Sequence, residues 1–217
     1  MTLQTPPPDP RPTLRERKKQ RARRELVETA LRLFLDRGFE ATTLDELVDA
    51  AELSKRTFFR MFSSKETVAL AAETDLWDAY LERVEQSELR GTVLHVLRDT
   101  LVETIRAMDG EWTRRFLATR GLAARTPALR DRSDLTSITI QRRLVEILER
   151  RLGLDSRDDV RLRLLGEMSL GAWRCAARNW IRGGSGTRPG AEAQGELVDE
   201  VEQAFDALPA CLALSAS

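Results

Sequence analysis

Between Ser54 and Arg60 the chain reads Ser-Lys-Arg-Thr-Phe-Phe-Arg, which places two guanidinium groups, an ammonium and two hydroxyls within seven residues. Arg bonds the O6/N7 edge of guanine bidentately, and a Thr methyl touches the thymine methyl, so this set suits the floor of a DNA major groove. The groups must share one face to do so. Phe58, Met61 and Phe62 recur at i, i+3 and i+4 and turn inward, and at about 100° per residue this leaves Arg56 and Arg60 outermost, flanked by Lys55, Thr57 and Phe59. A solvated basic face has the same composition, so the residues acquire their meaning from what positions them.

The positioning elements can be read from apolar periodicity and caps. Leu44, Leu47, Val48 and Ala51 form the stripe of a short helix, and Thr43 with Glu46 three residues on has the spacing of a capping box. Ser54 is an N-cap for the next helix, and Ser63 with Glu66 predicts another box and a new helix beginning at once. Two short helices across a tight turn are the layout of a helix-turn-helix reader. A first helix is predicted over 18–37, with Gly38 as its C-cap, burying Val27, Ala30, Leu31 and Phe34 against Leu44, Leu47 and Phe62.

From about Glu25 to Val68 these residues resemble the DNA-binding domain of the tetracycline-repressor (TetR) family. The likeness rests on Gly38-Phe39, paired Thr42 and Thr43, an Ala-rich second helix, Ser54-x-x-Thr57-x-x-x-x-Phe62 and Ser64-Lys65-Glu66, all in register. The run Arg56-Thr57-Phe58-Phe59-Arg60 is similar to an actinobacterial branch in which Arg-Arg-Thr-Phe-Phe-Arg-Tyr-Phe is frequent. The resemblance implies phosphate contacts from Thr42, Thr43 and Lys65, and an acyl-CoA-like effector. Three positions depart from the family pattern: Glu52 and Arg56 stand where Gly is common, and Phe59 replaces a Tyr whose hydroxyl bonds a phosphate. Glu52 therefore either adopts positive φ or sits in a turn of another geometry.

Charge points to the same end of the chain. Residues 11–37 hold ten basic and four acidic side chains, whereas the whole chain balances at 35 and 35. Such a head releases counterions from phosphate and makes binding salt-sensitive, although RNA and membrane surfaces attract basic arms too. Residues 1–17 are expected to form a disordered, Pro-rich basic arm, 18–63 the DNA-binding domain and 64–217 a larger domain. There is no apolar h-region and no run of about 18 apolar residues for a membrane span, so a cytoplasmic protein is expected. Cys175, Cys211 and the single His95 offer no metal-ligand spacing, and no cofactor or catalytic constellation is predicted; His95 is expected to be a hydrogen-bonded structural histidine.

Past Ser64 the periodicity is helical throughout, giving an all-α protein of about nine helices near 64–87, 91–108, 111–124, 127–152, 156–182 and 192–208 after the head. Apolar residues of the last two long helices exceed one packing face. Leu165, Ala172, Ala176, Trp180, Leu197, Val201, Phe205 and Leu208 fit either a central helix pair of one chain or a homodimer interface, and the resemblance implies the latter, as a four-helix bundle. Trp77, Leu101, Ile105, Trp112, Phe116 and Trp173 are candidates to line an effector pocket, and equally fit ordinary core. Arg114, Arg115 and Arg120 are candidates to meet effector phosphates. The reading is a sequence-specific transcription regulator, a homodimeric repressor released from an operator by a small apolar or amphipathic molecule. A ligand-independent architectural DNA binder and an all-helical enzyme with a vestigial head are its rivals.

Overall fold

A computed structural model describes residues 13–183, 190–211 and 213–215; the expected disorder of the Pro-rich run before Thr13 lies outside these residues. Among the described residues there are eleven helices and no strand. Contacts divide the chain into one unit ending at Val68 and another starting at Ala69, a few residues beyond the expected boundary at 63/64.

The first unit holds α1 (Leu14–Arg37), α2 (Leu44–Ala50), α3 (Lys55–Met61) and the start of α4 (Lys65–Ala69). α1 begins four residues earlier than periodicity suggested, because Thr13 and Glu16 close a capping box ahead of any apolar stripe. Residues 14–17 are therefore helical and not part of an arm. Leu26, Val27, Ala30, Leu31 and Phe34 of α1 are buried with Leu47, Val48, Phe58 and Phe62, while Leu44 and Met61 are only half-buried. Gly38 ends α1 at φ 92°, ψ 149°, a region close to Gly-only backbone. The predicted Ser63/Glu66 box is replaced by one a residue later: the Ser64 N–H donates to Thr67 Oγ1 (3.0 Å) and the Thr67 N–H to Ser64 Oγ (3.3 Å).

The turn between α2 and α3 settles the Glu52 question in favour of positive φ, at 53°. The Leu53 N–H donates to Val48 O (2.9 Å) and the Glu52 N–H to Asp49 O (3.0 Å), the paired bonds of a Schellman motif with Glu52 at its left-handed position. Those bonds satisfy carbonyls that the seven-residue α2 leaves open, at the cost of holding an L side chain where Gly is preferred.

The second unit comprises α5 (Ala71–Gln86), α6 (Val93–Ala107), α7 (Trp112–Arg125), α8 (Pro127–Leu152), α9 (Val160–Arg182), α10 (Gly190–Asp206) and the short α11 (Leu208–Cys211). The helix expected over 64–87 is broken at Leu70, which separates α4 from α5. α9 starts at Val160 and not near 156, because the Asp159 carboxylate caps it, accepting from the Arg161 N–H (3.0 Å). α5 packs on α6, α7 and α8, and α9 packs on α8 and α10. α8 and α9 approach closely at buried Gly166, where a Cβ would lie 3.0 Å from Val145 Cγ2. Arg151 of α8 reaches the last carbonyls of α5, donating to Val84 O (2.9 Å), Glu85 O (2.5 Å) and Ser87 O.

The stripe read as a homodimer interface is used inside one chain. Ala172, Ala176, Trp180, Leu197, Val201 and Phe205 are buried in the protomer core, with Leu165 and Leu208 packed against it half-buried. Of the two open readings the central helix pair holds for these side chains: α9 and α10 consume their apolar faces on each other and on α6 and α7. The expected hydrogen-bonded structural role of His95 is not seen: the side chain is exposed, on the face of α6 that points away from Leu97 and Leu101.

Glu52→Gly should relieve the left-handed backbone and stabilise the first unit by about 1 kcal/mol, whereas Gly38→Ala should cost about 1–3 kcal/mol. Urea unfolding followed on the isolated transitions of each variant checks both signs.

Candidate functional site

α3 stands on two anchors and two caps. Phe58 is fully buried and meets Phe62 (centroids 6.2 Å apart) and, edge-on, Phe59 (5.3 Å). Ser54 Oγ accepts from the Thr57 N–H (3.1 Å) and lies 3.0 Å from Thr57 Oγ1, so both hydroxyls are oriented at the helix start. On the outer face Lys55, Arg56, Phe59 and Arg60 are exposed and Thr57 is half-buried. Phe59 shows 54 % of its surface, a large apolar group held among cations.

The cations differ in how free they are. Lys55 Nζ pairs with Asp45 of α2 at 2.5 Å. Arg56 and Arg60 make no ion pair among the described residues, which leaves two guanidinium forks open to a partner. Thr43 is exposed; its hydroxyl and N–H engage Glu46, and those bonds hold the Glu46 carboxyl below the usual carboxylate range.

Two residues expected at phosphates are placed otherwise. Thr42 is fully buried and its hydroxyl donates to Gly38 O (2.9 Å), so its side chain closes the α1–α2 turn and is not on the surface. Lys65 reaches back 26 residues: its Nζ donates to Phe39 O (2.7 Å) and Thr42 O (2.8 Å) and lies 4.2 Å from the Phe39 ring centroid. An ammonium has three protons, so one donor remains for an outside acceptor. Sequence reasoning missed this carbonyl clamp because no local spacing announces a bond between residues 39 and 65. Arg23, counted in the basic run of 11–37, has a contact that the sequence reading did not foresee: it lies over the Phe62 ring at 4.8 Å.

The second unit carries a different site. A cleft of about 460 Å³ is bounded by α5, α7, α8 and α9, with Phe116, Trp173, Ala177 and Ile181 as apolar wall and Arg120, Arg130, Arg174, Arg178 and Arg182 as cationic lining. Of the predicted pocket residues Phe116 and Trp173 line it. Trp77, Leu101, Ile105 and Trp112 do not; they are buried in the core, Trp112 stacked on Phe116 (5.0 Å) and donating to Ala72 O (2.9 Å). The three candidate arginines are now separated. Arg114 pairs with Glu111 (2.9 Å), buried Arg115 pairs with Asp109 (2.5 Å), and Arg120 alone of them faces the cleft.

At the cleft's inner end lies Glu73, a buried carboxylate on the first turn of α5. The Ser133 hydroxyl donates to it (2.9 and 3.0 Å to its two oxygens), and Arg120 approaches both Glu73 Oε2 (3.4 Å) and Ser133 Oγ (3.1 Å). Burial pushes the Glu73 carboxyl above the ordinary range, against the opposing pull of Arg120 and Ser133. The α4–α5 junction beside it is held from α7 by Thr119, whose hydroxyl donates to Ala69 O (2.9 Å), and by Trp112, which donates to Ala72 O. Among the described residues no group of His, Cys, Asp and Glu has metal-site geometry, and no helix is long and apolar enough to cross a membrane.

Comparison with known proteins agrees with the geometry of both units. Residues 26–72 match the model for bacterial regulatory proteins of the tetR family, and residues 91–213 match the MftR C-terminal domain. The HTH-type transcriptional regulator TcmR of Streptomyces glaucescens is 34% identical over 174 residues, covering 78% of this chain and 77% of that protein. The regulator AcrR of Shigella flexneri is 28% identical over 104 residues, 45% of this chain and 46% of its own length. The fold is shared with Thermus thermophilus FadR, a TetR-family repressor solved in complex with lauroyl-CoA, at a TM-score of 0.50 and 24% identity over 90% of this chain and 97% of that one.

Two substitutions follow from the placements. Lys65→Ala leaves two carbonyls without their charged donor and should destabilise the first unit by about 1.5–3 kcal/mol, visible in thermal melts without DNA. For Glu73, a carboxyl whose pKa is raised on folding contributes most below the unfolded value and loses that contribution as pH rises through the folded one. Glu73→Gln should therefore melt at higher temperature than the parent at pH 8, with the gap closing as pH falls below the carboxylate range; half-exposed Arg120 can turn to water in the variant.

Proposed function

The chain belongs to the TetR family of bacterial DNA-binding transcription regulators, and from that premise we propose that it is a cytoplasmic homodimeric repressor, holding a pseudo-palindromic operator until a small apolar or amphipathic effector releases it. The observation that carries the reading is the outer face of α3, where Arg56 and Arg60 stand exposed without ion pairs among the described residues on a helix capped by Ser54 and anchored by Phe58. Arg56 is the base-selective residue of this reading, through bidentate bonds to guanine. Arg60, Lys55, Thr57, Thr43 and the spare Lys65 proton serve the backbone, and Phe59 packs on sugar or a thymine methyl in place of a polar phosphate bond.

Dimerisation is supported by the outer side of α9, not by the stripe that the protomer consumes. Leu164, Met168, Gly171 and Cys175 recur at i, i+4, i+7 and i+11 on one face, with Leu164 48 % exposed and Gly171 leaving open space where a Cβ would be. A two-fold pairing would bring two α3 helices to successive major grooves about 34–36 Å apart. The Phe116–Trp173 cleft is the effector site of this reading. An acyl-CoA is one effector consistent with it, supported by the arginine lining and by the lauroyl-CoA bound to the fold relative FadR. The match of residues 26–72 to bacterial regulatory proteins and the likeness to the regulator TcmR favour a regulator over an enzyme.

Sequencing of genomic fragments captured by the purified protein should return an inverted repeat, and a salt titration should separate this site from random DNA. Equal affinity for both duplexes would sink sequence-specific regulation in favour of an architectural binder. Arg56→Ala should relax preference at one or two base pairs per half-site and cost about 1–3 kcal/mol without changing the melting temperature. An unchanged preference profile would remove Arg56 from the reading role.

A further inference from the structure

The arginine wall of the cleft is unbalanced in a way that folding alone does not explain. Arg174, Arg178 and Arg182 follow one another at i, i+4 and i+8 on α9, a spacing at which like charges repel, and none has an ion pair among the described residues. Arg130 gives one donor to Ala124 O (2.8 Å), and Arg120 spends one on Glu73 and Ser133. Against these five cations the cleft offers two carboxylates, Glu73 and Asp134, and Glu73 is already occupied. Beside them on the same helix run Trp173, Ala177 and Ile181, and Phe116 of α7 meets the Trp173 ring edge-on at 5.8 Å. The cleft thus sets an apolar strip directly beside an excess of positive charge.

Its size narrows the occupant further. A volume of about 460 Å³ lies toward the lower part of the range of small-molecule sites. Resting on the regulator reading above, we propose that the cleft takes a compact amphipathic anion, its apolar body on Phe116 and Trp173 and its acidic group received by the Arg174–Arg178 pair with Arg120 at the inner end. The bound acid supplies the counter-charge that the protein lacks there. It also competes with Glu73 for Arg120, and Glu73 sits on the first turn of α5, just past the α4–α5 junction that Thr119 and Trp112 hold from α7.

The test uses the full chain without DNA, titrated with 2-naphthoate, its neutral counterpart 2-naphthylmethanol and lauroyl-CoA, read by tryptophan fluorescence and calorimetry. Naphthoate should bind about tenfold or more tighter than the alcohol, the gain expected of one charge-assisted contact. The double variant Arg174→Gln/Arg178→Gln should erase that advantage while keeping the alcohol's affinity, which shows that the apolar wall is intact. Equal affinity for acid and alcohol, or an advantage that survives in the variant, overturns the anion site. Lauroyl-CoA binding at least about a hundredfold tighter than naphthoate overturns its compactness. DNA selectivity measured in parallel separates the two readings: selective DNA binding with no anion preference removes the cleft proposal alone, and anion preference without selective DNA binding removes the regulator.

Discussion

The first unit depends on satisfying backbone groups where short helices stop. α2 and α3 are seven residues each, so most of their N–H and C=O groups lie within a turn of an end and lack an intrahelical partner. The Lys65 ammonium meets the same need in the loop that leads into α2. It gathers the carbonyls of Phe39 and Thr42 at the α1–α2 turn and ties α4 to a point 26 residues away. Gly38, the Thr42 hydroxyl and the left-handed Glu52 complete the same task at neighbouring turns. The outer face of α3 is only as well aimed as these turns are fixed, because a helix this short has little stability of its own.

The second unit uses a different economy of polar groups. Its core is broad and aromatic, with Trp77, Trp112, Phe116, Trp173 and Trp180 in linked ring contacts or in neighbouring buried positions. Within it the Glu73–Ser133–Arg120 cluster is an exception that packing does not require. A buried ion pair is weak evidence for stability, since apolar residues of equal volume commonly do as well. Its position, between a cleft and the first turn of α5, makes specificity of arrangement the better account of why polar groups occupy that space.

Much of the head was legible because its signals are local. Capping spacings at Thr43/Glu46 and Ser54, and the stripe Phe58, Met61, Phe62, refer to residues within one turn of each other, and the structure realises them. What escaped was nonlocal. Whether Thr42 faces inward, or whether Lys65 bonds carbonyls rather than solvent, depends on contacts that no spacing encodes. The surplus apolar content of α9 and α10 was legible as well, but periodicity cannot say whether a covered face is covered by the same chain or another; here Trp180 and Phe205 turned out to be interior. The cleft was half-visible for a similar reason: Phe116 and Trp173 look like their buried neighbours in sequence, and only the arginines beside them in space set them apart.

The junction of α4 and α5 illustrates what such nonlocal bonds do to a helix end. Its carbonyls at Ala69 and Ala72 and its carboxylate at Glu73 are each grasped by a side chain from α7 or α8. Three attachments within five residues remove the soft degrees of freedom by which a helix end normally frays. The junction is thereby fastened to α7 and α8, so that a shift of either helix pulls on the backbone at Ala69 and Ala72 through side chains and not only through the chain itself.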